Sequence, residues 1–155
     1  MNEEKYLYLL IRTDLGSLGP GRAAAQASHA ANAFIHKYGN TKDAKTWAAS
    51  TPQGFGTAIV LGVTSQQMYD ITSIAGRQKF QTEIITDPDY AITFSAELLP
   101  YMNAELANDG RTTKIEQSTT DPNKYILHRQ ADTCAYIFGN KEELVPILGD
   151  LPLYS

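Results

Sequence analysis

RTDLGSLGPGRAAAQASHAANAFIH, Arg12 to His36, sets the reading of the chain. Just before it, KYLYLLIR (Lys5–Arg12) is a nearly continuous apolar run bounded by polar residues, the pattern of a buried central strand. The loop TDLGSLGPG then brings three glycines and a proline, and Pro20 and Gly21 prepare the entry to a helix. That helix is predicted from about Arg22 to Lys37, with Gly39 and Asn40 as its stop. Its first turns are almost all alanine, yet Arg22, Gln26 and His29 stand among the alanines at spacings of four and three, which put them on one helical face. In an open α/β sheet the ligand cleft lies at the carboxyl ends of strands, which is where this loop leaves its strand.

Further along, Lys42 to Ala49 reads as a short second helix ended before Pro52. TAIVLGV (Thr57–Val63) is a second apolar strand, and TSQQMYDITSIAGRQ is a helix with Thr64 or Ser65 as its cap. QTEIIT (Gln81–Thr86) and DTCAYIF (Asp132–Phe138) read as the third and fourth strands. Asn140, with Glu143 three residues on, marks the start of a last helix that Pro146 keeps short or bent. Strands alternating with helices predict an α/β three-layer sandwich: a small mixed sheet of about four strands with helices on both faces. Residues 91–131 break this rhythm. They hold an amphipathic piece, SAELLPYMNAELA, and a polar run, NDGRTTKIEQSTTDPNK, and are expected to form an inserted subdomain or lid within one domain spanning 1–155.

With 43% hydrophobic and 19% charged residues the chain is ordinary for a globular protein, which excludes general disorder. No apolar run approaches the roughly 20 residues of a membrane span, and the first residues, MNEEK, are acidic where a signal peptide is basic, so a cytoplasmic protein with no membrane partner is expected. One cysteine, Cys134, excludes an internal disulfide, and with only His29, His36 and His128 beside it no metal-ligand cluster stands out. A net charge of −4 argues against a protein that coats DNA or RNA and leaves room for a local cationic cleft that grips one RNA end.

The ordered residues Arg12-Thr13-Asp14-Leu15 and Gly21-Arg22-Ala23-Ala24-Ala25-Gln26-Ala27-Ser28-His29-Ala30 resemble type 2 peptidyl-tRNA hydrolases. Glu83-Ile84-Ile85-Thr86-Asp87 is similar to the family's strand ending in an active-site aspartate, and Thr133, Leu144 and the closing Leu151-Pro152-Leu153-Tyr154 resemble its last strand, helix and tail. The resemblance implies hydrolysis of the ester of peptidyl-tRNA, catalytic roles for Arg22, Asp87, Gln26 and Thr133, and substrate contacts from Arg12, Gly21 and His29. It also implies chemistry that needs no cofactor, and a homodimer, the family's common state. Three departures stand out: Arg22 replaces a lysine, Asp87-Pro88-Asp89-Tyr90 replaces Asp-Ala-Gly-x-Thr, and some forty residues replace a short loop.

The chemistry fits the residue types. An ester needs a positioned water and a stabilised oxyanion; a carboxylate orients the water, and a cation at a helix start holds a phosphate or the oxyanion. Arginine stays protonated, so Arg22 serves by charge and not as a base. Alternatives remain at each position. Arg22 and Gln26 also suit solvated helix positions, His29 a structural histidine, Thr133 a strand residue, and Asp87 before Pro88 a turn former. Asp109, in Asp109-Gly110-Arg111-Thr112, is a second candidate aspartate; Asp87 is preferred because EIIT supplies the strand before it. A non-catalytic tRNA- or protein-binding module on the same fold is the competing function.

Overall fold

The computed structural model describes residues 3–16, 18–106 and 110–155. Among them the order is β1 (Lys5–Arg12), α1 (Pro20–Tyr38), α2 (Lys42–Ala49), β2 (Ala58–Val63), α3 (Ser65–Arg77), β3 (Gln81–Ser95), a 3-10 turn (Ala96–Leu98), α4 (Leu99–Leu106), β4 (Thr112–Gln117), β5 (Lys124–Asn140) and α5 (Lys141–Leu148). The sheet is mixed and ordered β2-β1-β5-β3, with β4 also paired to β5. β1 is central: it runs parallel to β2 and antiparallel to β5. The expected α/β sandwich is present, with five strands where about four were predicted.

Two compact units divide the chain: Met1–Ile85 with Thr133–Ser155, and Thr86–Asp132. In the first, the period-2 alternation of strands builds both cores at once. Leu7, Leu9 and Ile11 of β1, with Cys134, Tyr136 and Phe138 of β5, face α1 and α2. The intervening Tyr8, Leu10, Ala135 and Ile137 face α3 and α5. This two-sided burial explains the unbroken apolar run of β1. Ala23 and Ala30 bring α1 close to the sheet, and Phe34 packs its ring against Tyr136, Phe138 and Trp47. The outer edge of β2 is covered by the tail: Gly62 N–H donates to Pro152 O at 2.9 Å, and Tyr154 N–H to Val60 O at 3.0 Å. An edge that would otherwise offer free backbone groups is thereby paired.

Helix ends follow their caps. The hydroxyl of Thr41 accepts from Ala44 N–H, Thr64 and Gln67 form a reciprocal capping box, and the side chain of Asn140 accepts from Glu142 and Glu143 N–H. α5, containing Pro146, is only eight residues long.

The second unit departs from the sequence reading. β3 does not end at Thr86; it continues through Asp87 and Pro88 to Ser95. β3 lies at the end of the strand order, the position in a sheet where proline is found. The polar run contains a strand, TTKIEQ, paired antiparallel with residues 125–129 of β5. Its STTDPNK portion is the hairpin turn, closed by Ser118 N–H to Lys124 O at 2.9 Å and by the Asp121 carboxylate accepting from Asn123 N–H at 2.9 Å. Tyr90, Phe94, Leu127 and Ala131 are buried, and Phe94 stacks on Tyr125 with ring centroids 6.1 Å apart.

Candidate active site

At the carboxyl end of β1 stand Arg12 and, on the neighbouring β5, Thr133 with its partner Gln26. Arg12 ends the strand, and its Nε donates to Asp14 Oδ1 at 2.9 Å; Asp14 Oδ2 accepts from the backbone N–H of Ser65 at 2.9 Å, the first residue of α3. Partial burial pushes the Asp14 carboxyl up, but the Arg12 guanidinium and the Ser65 N–H outweigh it and hold the group below its ordinary value. The Arg-x-Asp pair therefore braces the loop after β1 against the start of α3. The spacing of an acid two residues past a strand-ending arginine is the signal for this brace, and the sequence reading missed it.

Pro20 occupies the first position of α1, whose fixed backbone suits a helix start, and Gly19 caps it without a side chain. A Cβ placed on Gly21 meets nothing within 4 Å, so the backbone there is open to close approach. Arg22 and His29 are exposed. Gln26 is not: it is 4% exposed and turned to the sheet, which separates it from the two residues its spacing placed on the same helical face.

Gln26 finds its partner on β5. Antiparallel pairing of Ile11 with Cys134 puts Thr133 beside the same sheet edge as the end of β1. Thr133 is fully buried, and its hydroxyl donates to Gln26 Oε1 at 2.5 Å. The thiol of Cys134 donates to the backbone carbonyl of Gln26 at 3.3 Å. Two residues 107 positions apart thus form one polar pair in an apolar layer, where an unmade bond is costly. Along α1, Leu18, Pro20, Ala24, Ala27, Val60 and Tyr154 line an apolar cleft of ≈ 460 Å³. The alanines of the opening motif therefore serve twice, in close helix–sheet packing and as a cleft wall.

Asp87 belongs to the second unit. It lies within β3, not at a strand end as the sequence reading had it, and its Oδ1 accepts from Asp89 N–H at 3.0 Å. A neighbouring acid went unnoticed in the sequence. Asp132 is 8% exposed; its Oδ1 accepts from the Thr86 hydroxyl at 2.6 Å, and Arg111 Nη1 stands 3.6 Å from its Oδ2. One acid heading the apolar strand run DTCAYIF was its only trace. Asp109 lies outside the described residues. Among the described residues no group of three or more His, Cys, Asp or Glu side chains is placed to hold a metal ion, and no helix is long and apolar enough to cross a membrane.

The architecture is a mixed α/β sandwich that seats an alanine-rich helix, entered through a glycine loop, against its central sheet. The chain belongs to the peptidyl-tRNA hydrolase PTH2 family, whose model matches residues 6–96. The matched span contains Arg12, Gly21, Arg22, Gln26, His29 and Asp87; Thr133 lies beyond it. A search of curated proteins returned no match.

Proposed function

We propose that this protein hydrolyses the ester joining a peptide to the 3′ ribose of a tRNA, releasing free peptide and tRNA in the cytoplasm. The observation that carries the reading is the buried Thr133–Gln26 bond on the helix that begins with Gly21 and Arg22, in a chain of the PTH2 family. Water adds to the ester carbonyl, the C–O bond to the ribose breaks, and the ribose oxygen leaves as a hydroxyl after taking a proton. Arg22 and the positive end of the α1 dipole supply charge for the oxyanion or a nearby phosphate. Gln26, fixed by Thr133, presents its amide edge at a constant position. Asp87 is assigned the water by the resemblance alone. No cofactor enters these steps.

Single-turnover hydrolysis of N-acetylaminoacyl-tRNA by the native protein, Asp87→Asn and Arg22→Ala tests this reading. Loss of about a hundredfold or more in both variants is expected for a water-orienting carboxylate and an oxyanion clamp. Full activity in Asp87→Asn removes the aspartate assignment and turns attention to Asp132. An inactive native protein favours the competing reading, a tRNA-binding module without catalysis; the continuation of β3 through Asp87 and the arginine at position 22 are the features that support it.

A further inference from the structure

We propose that the exposed face of α1 is a track for the phosphodiester backbone of the tRNA acceptor stem, formed by Arg22, His29 and His36. The proposal rests on the hydrolase reading and extends it from the ester to the rest of the substrate. None of the chain's 17 acidic residues falls within the 19 residues of α1, although the chain carries a net charge of −4. Arg22, His29 and His36 are each exposed and each seven positions apart. Seven residues are close to two helical turns, so the three side chains form one line nearly parallel to the axis, roughly 21 Å from end to end. Arg22 supplies a fixed charge, and each imidazole supplies an N–H donor to a phosphate oxygen whether or not the ring is protonated. Ala25 and Ala33 lie beside this line, with the polar, exposed Asn32 between His29 and His36. Lys37 is excluded from the track because its ammonium is turned to Glu83 at 3.6 Å. The line begins one turn from the buried Gln26, which directs the 3′ end toward Gln26 and the stem toward His36. An acid-free helical face in an acidic protein is charge-complementary to a polyanion and to little else.

The test measures binding of deacylated tRNA by fluorescence anisotropy across a salt series, with native protein, His36→Glu, the milder His36→Gln, and Ser73→Glu. Ser73 lies exposed on α3, in the opposite layer, and carries the same added charge. His36→Glu is expected to weaken binding about tenfold at low salt and to lower the log–log salt slope by about one, with a smaller loss in His36→Gln. Ser73→Glu stays within about twofold of native. Equal losses in His36→Glu and Ser73→Glu, or native-like affinity in His36→Glu, would overturn the track. Failure of the hydrolase reading shows separately, as a native protein that binds tRNA along this face and leaves peptidyl-tRNA intact.

Discussion

The two units are held together by different physics. In the first, Leu7 to Ile11 and Cys134 to Phe138 present alternate side chains to two apolar layers, and polar groups enter the interior as pairs, as with Thr133 and Gln26. Tyr136 shows the same discipline. Its ring is fully buried, and its hydroxyl reaches Glu83 at 2.9 Å; burial, then the Glu83 carboxylate, push the phenol well above its ordinary value. Among the described residues, the second unit buries Tyr90, Phe94, Leu127 and Ala131, and side-chain bonds join its strands beside the β4–β5 ladder. His128 of β5 meets Asp89 of β3 and Glu116 of β4, each at 2.9 Å, while Thr86 and Asp132 clip β3 to β5. Apolar burial is non-directional and large; polar stitching is directional and small in net energy.

That contrast predicts where truncation hurts most. Phe34→Ala should cost about 3–5 kcal/mol in urea unfolding, because the ring is fully buried among Tyr38, Trp47, Tyr136 and Phe138. Phe94→Ala, whose ring has one stacked neighbour, should cost about half as much. Equal costs would break the distinction. Gly56→Ala comes next. Gly56 has φ of +69°, and a Cβ there would sit 2.1 Å from Trp47 Cε2, so the backbone strain and the clash together should exceed about 2 kcal/mol. The indole of Trp47 cannot retreat freely, since its Nε1 donates to Thr57 O at 2.8 Å. A native-like midpoint for this variant would show that the α2 layer yields more easily than its packing indicates.

The same contrast explains what the sequence revealed. Apolar periodicity is a signal of burial, so β1, β2, α1, α2 and α3 were legible within a few residues, and Thr64 and Asn140 announced helix starts by their chemistry. β4 was not, because TTKIEQ has one apolar residue and owes its pairing to partners on β5 that no local window contains. The extension of β3 was hidden by Asp87-Pro88-Asp89, a turn signal overridden by Tyr90 and Phe94 burying farther on. At the site, the motif from Arg12 to His29 was visible, but its division was not: helical spacing alone does not say which of Arg22, Gln26 and His29 turns inward. Thr133 could be singled out only through resemblance, since its partner lies 107 residues away.

The pair of Thr133 and Gln26 gives the next test in order of size. Thr133→Val keeps the shape and removes the donor, leaving Gln26 Oε1 buried without it; a loss of about 1–2 kcal/mol is expected. Adding Gln26→Leu should recover part of that loss, because both polar partners are then gone, and strict additivity would show that the bond contributes nothing. In the second unit, His128→Ala should raise amide exchange across residues 112–129 while exchange in β1 and β2 stays as in the native protein. Hydrogen bonding to His128, then to Lys114, holds the Glu116 carboxyl below its ordinary value, so its NMR titration should move upward in this variant. An unmoved Glu116 would sink the stitching account.

The smallest effect expected is a matter of pH, and it tests whether polar bracing in the first unit behaves like that in the second. Asp14 joins Arg12 to the first N–H of α3, and its folded carboxyl titrates below its unfolded value. A depressed carboxylate contributes stability that is fully present above the unfolded value, about 4, and is lost as pH falls through the folded one. The difference in unfolding free energy between native protein and Asp14→Asn should therefore be constant near neutrality and shrink on acidification below about pH 4. Its size should stay below about 1 kcal/mol, because the Asp14 side chain is 39% exposed and solvent screens the pair. Asparagine keeps an oxygen for the Ser65 N–H, so the pH-dependent part isolates the charge on Arg12. A difference that stays flat from neutral to acid pH would mean that the brace works as a neutral hydrogen bond, and that the first unit needs no charge to hold the loop from which the candidate site is built.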